Sequence, residues 1–457
     1  MGSEEQLQAV QELKDQFRLR SDRLKQLSQH LRGELEEGLH KNNANVAMLP
    51  SWISKHPTGQ ETGEYLGLDL SGSFIRIYFV TLHGQGRIST RQQKYLINDT
   101  LKKGPVTHMI DFLAQSVDQF LTFLGKSSVS EPLALGFVLS FPLAQTAINK
   151  ASVLQWTKDF EITGADNKNI AELLQIAFQK HKTPVVVEAV INGAVGCLLA
   201  HSYRSLDTLV ACTVSTGTNA AYWEKVSKVE KLKGHVQDKD KDGDMIINTE
   251  WGSFSDKHPQ DLPRTVYDNC VNRCSVNPEI HLFEKMVSGL YLGELSRSII
   301  VDFMDRRLLF DGQYSKEIST QNAFETSYMS AISSDETPEL ESTKHILEAI
   351  MNIPSTTIAD RQIVHAICEA VGRRAARLVA AAISAIIDKR NALEEGLTIS
   401  VEGAIYEHYP NFPRHVNESL RSIYGDSVDR INIGVTRDGN GIGGAVAAMI
   451  ARKCKNE

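Results

Sequence analysis

Two stretches far apart in the chain share one make-up, and that repetition leaves few folds open. Tyr65 to Leu70 is a largely apolar run, Ser71-Gly72-Ser73 follows, and Phe74 to Leu82 is a second run. Thr208 to Val214, Ser215-Thr216-Gly217-Thr218 and Asn219 to Val226 repeat the arrangement. Runs of this length rich in β-branched and aromatic residues predict strands. Small residues between them predict a tight turn whose backbone a ligand can approach closely. Each stretch is therefore expected to be a β-hairpin. The two lie roughly 145 residues apart, each followed by helical patterns, which points to an internally duplicated α/β fold with a ligand cleft between the halves.

The remaining patterns fit around these units. Leu7, Val10, Leu13 and Phe17 recur at helical spacing, and Ser21 is expected to cap a second helix with the stripe Leu24, Leu27, Leu31, Leu35 and Leu39. The pair reads as helices packed on a larger body, since the register is too short for a coiled coil. Met109, Ile110, Leu113, Val117, Phe120, Leu121 and Leu124 predict an amphipathic helix. Leu133 to Leu139 predicts a buried strand ending at Ser140-Phe141-Pro142, and Val185 to Val190 another that runs into Asn192-Gly193 and then a helix. Val364 to Ile387 predicts a long central helix, whose Arg373, Arg374 and Arg377 read as a solvated stripe rather than a nuclear-import signal. A chain of 457 residues exceeds one compact core, so two domains are expected.

Bulk properties serve mainly to exclude. A net charge of −7 spread along the chain argues against a nucleic-acid footprint. The six cysteines are scattered; Cys270 and Cys274 form the one close pair and lack matching zinc partners, so free thiols in a reducing, cytoplasmic setting are expected. No apolar run approaches a membrane span, no signal peptide is expected, and Gln6 stands where a myristoylation signal wants Ser or Thr. The loop Asp238 to Gly243 opens like a calcium loop, but its twelfth position is Thr249 rather than Glu, so a charged surface turn is expected.

Short segments between and beyond the hairpins carry the functional signal. They are Leu139-Ser140-Phe141-Pro142, Gln155-Trp156-Thr157-Lys158-Asp159-Phe160, Val186 to Gly196, Asn248-Thr249-Glu250-Trp251-Gly252 and Phe283-Glu284-Lys285-Met286. With the two turns, in this order and spacing, they resemble the hexokinase family in its fungal form, from about residue 20 to the C-terminus. The resemblance implies a duplicated actin-like, ribonuclease-H-like α/β fold with two lobes around a central cleft. On this reading 1–63 are helices packing on the large lobe, 64–191 the small lobe, 192–436 the large lobe, and 437–457 a helix returning to the small lobe.

A hexose presents a ring of hydroxyls, which carboxylates and amides on rigid elements can read. The resemblance places Ser140, Phe141, Thr157, Lys158, Asn192, Asn219, Glu250 and Glu284 at sugar contacts. One position departs. The family has Asn-Asp where this chain has Asn192-Gly193, and that Asp is its catalytic base and a sugar contact. Losing one such hydrogen bond costs about 1–2 kcal/mol, so weakened sugar binding is expected rather than none. Glu188, the acid nearest in sequence, lies in a strand and is not expected to reach the sugar.

The phosphate side departs further. Phosphate turns work through backbone N–H groups, and glycine lets them approach the anion. The family's Asp-Leu-Gly-Gly-Thr-Asn is here Asp69-Leu70-Ser71-Gly72-Ser73-Phe74. Asp69, Gly72 and Ser73 are retained in kind, with Arg76 beyond them; Ser71 adds a side chain, and Phe74 cannot donate to phosphate. The second turn, usually Gly-Thr-Gly, is Ser215-Thr216-Gly217. The nucleotide-side motif is Val401-Glu402-Gly403-Ala404, with Ala404 where a hydroxyl is usual, and Asp438 to Gly444 keeps the look of the glycine-rich terminal loop.

The resemblance therefore implies a hexose-binding protein with little or no kinase activity, no required cofactor, and ATP and Mg as ligands only if nucleotide binding survives. Its partners would be a hexose and a regulatory protein, with no direct nucleic-acid or membrane contact. It would act as a regulator or nutrient sensor in the cytoplasm or nucleus, as atypical fungal members do in carbon starvation and control of secreted proteases. The alternatives are an active ATP-dependent hexokinase acting at C6 and a ligand-free scaffold.

Overall fold

Residues 2–72, 74–156, 160–235 and 242–456 are described by a computed structural model. Its organising feature is two sheets with one strand order. In the first, the hairpin Thr62–Ser71 and Phe74–His83 carries Ile88–Leu96 antiparallel on its outer side. Leu133–Leu139 and then Val185–Asn192 extend its inner side in parallel. In the second, the hairpin Thr208–Val214 and Thr218–Lys225 carries Asp244–Asn248 outside, with Leu397–Glu402 and Ile431–Val435 added in parallel. Each sheet thus runs third, second, first, fourth, fifth in chain order, and Leu49–Pro50 adds a short edge to the second. The repeated hairpins of the sequence are the visible part of this duplication.

Burial explains which strands are central. Leu133–Leu139 is buried at every position, as a parallel strand covered on both faces must be, whereas the edge strand Ile88–Leu96 is polar and exposed along most of its length. Helices Val106–Phe123 and Ile170–His181 cover the outer face of the first sheet. Glu4–Phe17, Ser21–His40 and the long Ile358–Arg390 share the apolar cluster on the outer face of the second. Gly193–Ser202 and Gly439–Asn456, each following a fifth strand, fill the layer between. They meet backbone to backbone: a Cβ on Gly443 would run into the carbonyl of Gly196, and one on Gly67 into the carbonyl of Gly441.

Two local expectations are corrected. Ser21 does not cap the second helix; it is the first helical residue, because extended backbone at Arg20 already starts the turn, and no side chain caps that end. The arginines of the long helix are not a solvated stripe throughout. Arg374 is fully buried, with a two-pronged ion pair to Asp268 at 2.6 and 2.7 Å and its guanidinium 4.2 Å from the centre of the Phe17 ring. Cys197, Cys212, Cys270, Cys274 and Cys368 are free thiols. Among the described residues no helix is long and apolar enough to cross a membrane.

Candidate functional site

The residues that join the two halves are amides and carboxylates. Asn192 ends the first sheet and opens the helix Gly193–Ser202; its Oδ1 accepts from the Ala194 N–H at 3.0 Å, and its Nδ2 donates to the Phe141 carbonyl at 3.2 Å. Asn219, in the second hairpin, reaches across: its Nδ2 lies 3.4 Å from Asn192 Oδ1, 2.8 Å from Asn248 Oδ1 and 3.2 Å from Glu250 Oε1. The Glu250 N–H donates back to Asn219 Oδ1 at 3.0 Å. Glu250 has a left-handed backbone, φ +57°, a strained state for a non-glycine residue that this network holds in place. Burial pushes its carboxyl above the usual carboxylate range, partly offset by the hydrogen bond from Asn248.

Glu284 completes the group. Its Oε2 accepts from the Thr218 N–H at 2.9 Å, and its Oε1 lies 3.5 Å from His281 Nδ1. Burial alone would lower His281, but the Glu284 hydrogen bond and the charges of Glu284, Glu250 and Asp256 hold it above its usual value. Gly217 is glycine for a reason other than phosphate: a Cβ there would come within 2.8 Å of Glu284 Oε2. Asn192, Asn219, Glu250 and Glu284 are therefore gathered into one network. Phe141 contributes its carbonyl, while its ring is buried edge-on against Trp156 and Phe160. Thr157 and Lys158 lie outside the described residues.

Gly193 sits beside this network as the first residue of its helix. A Cβ built on it would lie 3.0 Å from Asn440 Oδ1, 3.3 Å from Ser140 Oγ and 3.4 Å from Asn440 Nδ2. None of these three nearest atoms belongs to a carboxylate. Asn440 comes from the start of Gly439–Asn456, the equivalent helix of the other half, and its Nδ2 also donates to Asp69 Oδ1 at 3.2 Å. Ser71 Oγ donates to the second Asp69 oxygen at 3.0 Å. The buried acid of the first turn is thus held from both sides. Glu188 points elsewhere, into ion pairs with Arg452 and Lys455.

The rest of the expected phosphate side is spread over several elements. Gly72 has φ +66°, and a Cβ there would meet nothing, so the first turn is open. Ser73 lies outside the described residues; Arg76 stands opposite Asp69 in the hairpin register. Phe74 carries the ammonium of Lys94 over its ring at 3.4 Å. The Thr216 carbonyl accepts from the Leu290 N–H at 3.2 Å. Gly403, at φ +129°, packs directly on the Val214 carbonyl. Beside it Glu402 accepts from the Gly439 N–H at 3.2 Å; burial first, and then the Asp69 charge, push its carboxyl up to about 7. A cavity of about 360 Å3 next to this turn is bordered by the Arg437–Glu407 ion pair, at 3.1 Å. Among the described residues no cluster of acids, histidines or cysteines could hold a metal ion. Mg commonly relies on one or two carboxylates plus substrate phosphates, and Asp69, the acid of the first turn, already accepts from two side chains.

Sequence reasoning did not single out Asn248, His281, Glu402 or Asn440 as site residues. Asn248 and Glu402 lie inside quoted motifs, so proximity was the available signal. Asn440 was recognisable only as part of a glycine-rich loop, because its contact with Gly193 spans 247 positions and rests on the duplication.

Comparison with known proteins agrees with this geometry. Two family models, both described as hexokinase, match residues 9–203 and 209–450. A hexokinase of Kluyveromyces lactis is 35% identical over 453 residues, covering 98% of this chain and 93% of that protein. Hexokinase-1 of Saccharomyces cerevisiae is 35% identical over 455 residues with the same coverage of both. Among solved structures, hexokinase from Schistosoma mansoni complexed with glucose superposes with a TM-score of 0.88 at 32% identity, covering 97% of this chain and 99% of that one.

Proposed function

The chain belongs to the hexokinase family, and we propose that within it this protein is a hexose-binding member with little or no kinase activity, acting as a regulator or nutrient sensor. The observation that carries the reading is Gly193 itself, which brings no carboxylate of its own and whose built Cβ has atoms of an amide and a hydroxyl as its three nearest. In a sugar kinase the C6 hydroxyl attacks the γ-phosphate of ATP, and a carboxylate orients the hydroxyl and takes its proton. An amide oxygen accepts a hydrogen bond but does not take up the proton at neutral pH. Removing a general base costs about 10²–10⁴ in rate, and loss of the orienting role favours the upper end.

Asn440 deepens the loss. It occupies the space into which a side chain at 193 would grow, and it ties up Asp69 together with Ser71. The sugar side supports binding on its own. Asn219, Glu250 and Asn192 are preorganised by mutual hydrogen bonds and Glu284 by the Thr218 N–H beside them, and all but the more deeply buried Asn192 remain partly open to ligand. Sugar would draw the halves together, and the closed form would be what a regulatory partner reads. Carbon-starvation signalling and control of secreted proteases fit such a role by family analogy alone.

The relatives named hexokinase favour a second reading, an active ATP-dependent enzyme phosphorylating a hexose at C6. Its one structural foothold is Glu402, whose carboxyl titrates near neutrality beside Asp69. One experiment decides between them. The purified chain is titrated calorimetrically with glucose, mannose, fructose and N-acetylglucosamine, and assayed for sugar phosphate with ATP and Mg. Saturable sugar binding without product is expected. Turnover at an ordinary hexokinase rate overturns the proposal, and absence of any sugar binding leaves a ligand-free scaffold.

A further inference from the structure

A second set of charged groups lies away from the Asn192–Glu250 network, in the helical layer that covers the outer face of the second sheet. A cavity of about 310 Å3 opens between the end of Glu4–Phe17 and the middle of Ile358–Arg390. Its lining includes the cations Lys14, Arg18, Arg373 and Arg377 and the acids Asp15 and Glu369. The cations form two pairs, each four residues apart, one on each helix, facing a shared space. Like charges at that spacing repel along a helix. The C-terminal end of the first helix offsets this for Lys14 and Arg18, since a helix C-terminus attracts cations. Arg373 and Arg377 lie in mid-helix, with Glu369 one turn before Arg373 and the charge of Glu418 as the offsetting acids.

The protein supplies these groups with few acceptors. Among the described residues none of the four side chains makes a hydrogen bond or ion pair. Asp15 accepts instead from Gln11, and the nearby Glu418 pairs with Arg414 and His415. Burial, then the charges of Arg373 and Arg18, pull Arg377 below its ordinary value. The neighbouring Arg374 shows the contrast, because the fold gives it a buried carboxylate on two prongs.

We propose that this cavity binds a small phosphate-bearing anion, seated among Arg18, Arg373 and Arg377. Guanidinium groups offer planar forks of N–H donors that match phosphate oxygens two at a time, and three forks converging on one space suit a multiply charged tetrahedral group. The volume lies at the low end of the roughly 300–1,000 Å3 typical of ligand pockets, which favours a small phosphorylated molecule over a polymer. Bound there, the anion bridges the first helix to the long one, so it would tighten the N-terminal helix on the large lobe without touching the sugar network.

The test uses the full chain. Inorganic phosphate and, separately, pyrophosphate are titrated calorimetrically at about 150 mM chloride, where loose surface attraction is screened. Saturable binding is expected for the native chain. R373A/R377A should weaken it by about tenfold or more, and R373K/R377K should fall between, keeping the charge but losing the forks. Glucose titration should be the same in all three. Should the alanine pair fail to fold, Arg18→Ala carries the same expectation from an exposed position. Absence of saturable phosphate and pyrophosphate binding, or equal binding by R373A/R377A, overturns the proposal. Binding of polyglutamate alone also overturns it and marks the surface as a dock for an acidic protein segment.

Discussion

The two halves of the candidate site have been treated differently by this sequence. On the expected sugar side, Asn192, Asn219 and Glu250 from separate segments share one hydrogen-bonded network with strained backbone at Glu250, and Glu284 is held next to it by the Thr218 N–H. On the expected phosphate side, Asp69 is held by Ser71 and Asn440, an aromatic with a lysine over its face stands at Phe74, and Gly193 presents no side chain. The two sides meet at Asn192-Gly193, where the network residue Asn192 caps the helix that Gly193 opens. The network draws on the second hairpin and the loops after it, joined to the first sheet through Asn192. The chemistry depends on two helix starts, Gly193 and Gly439-Asn440, meeting at the junction of the halves.

The largest test of this contrast is to rebuild the missing carboxylate. Gly193→Asp alone is expected to gain little, because its Cβ would press on Asn440 Oδ1 at 3.0 Å. Gly193→Asp with Asn440→Ala should gain up to about 10²–10⁴ in sugar-phosphate formation over the native chain, read in a coupled kinase assay. If the single change performs as well as the double, Asn440 does not guard the site. If both reach ordinary hexokinase rates, the phosphate turns are sounder than their sequence suggests.

Next in size is Glu250→Ala. It removes the carboxylate at the centre of the network, and hexose affinity should fall roughly 10- to 150-fold, the range for a hydrogen bond to a charged group. Calorimetry should show nucleotide affinity, if any is present, unmoved. A parallel loss of both would mean that the two sides are one cooperative unit.

A third test concerns pH. Glu402 is raised from 4.5 to about 7 in the folded chain, so below pH 4.5 it is protonated in both states and costs nothing. As pH rises from 4.5 through 7, the unfolded chain ionises first, and the folded state loses stability, by at most about 3 kcal/mol. Glu402→Gln should flatten that slope between pH 5 and 7.5 in thermal melts, while Glu250→Gln should give a smaller change of the same sign. An unchanged slope would remove Glu402 as the acid of the second reading. The smallest effect is expected for Phe74→Asn, which should improve nucleotide binding by about fivefold at most, the worth of one neutral hydrogen bond.

Much of this arrangement was legible before any coordinates. The hairpins, the buried strand Leu133–Leu139 and the long helix follow from apolar patterning, because burial on a sheet face or helix stripe writes directly into the local sequence. The gathering of Asn192, Asn219, Glu250 and Glu284 came from resemblance, and no periodicity contains it. What stayed hidden is contact between distant positions. Asn440 meets Gly193 only because two halves of one design face each other, and Arg374 is buried because Asp268 lies across from it. Ser21 misled for the opposite reason: a good capping residue was present, but the backbone had already turned at Arg20.

The bare crossing of Gly196 and Gly443 has its own consequence. Two rods that touch without side chains lie as near as backbone allows, so even a single methyl group on Gly443 would act as a shim and force them apart, altering the junction of the halves from a position outside the amide and carboxylate network.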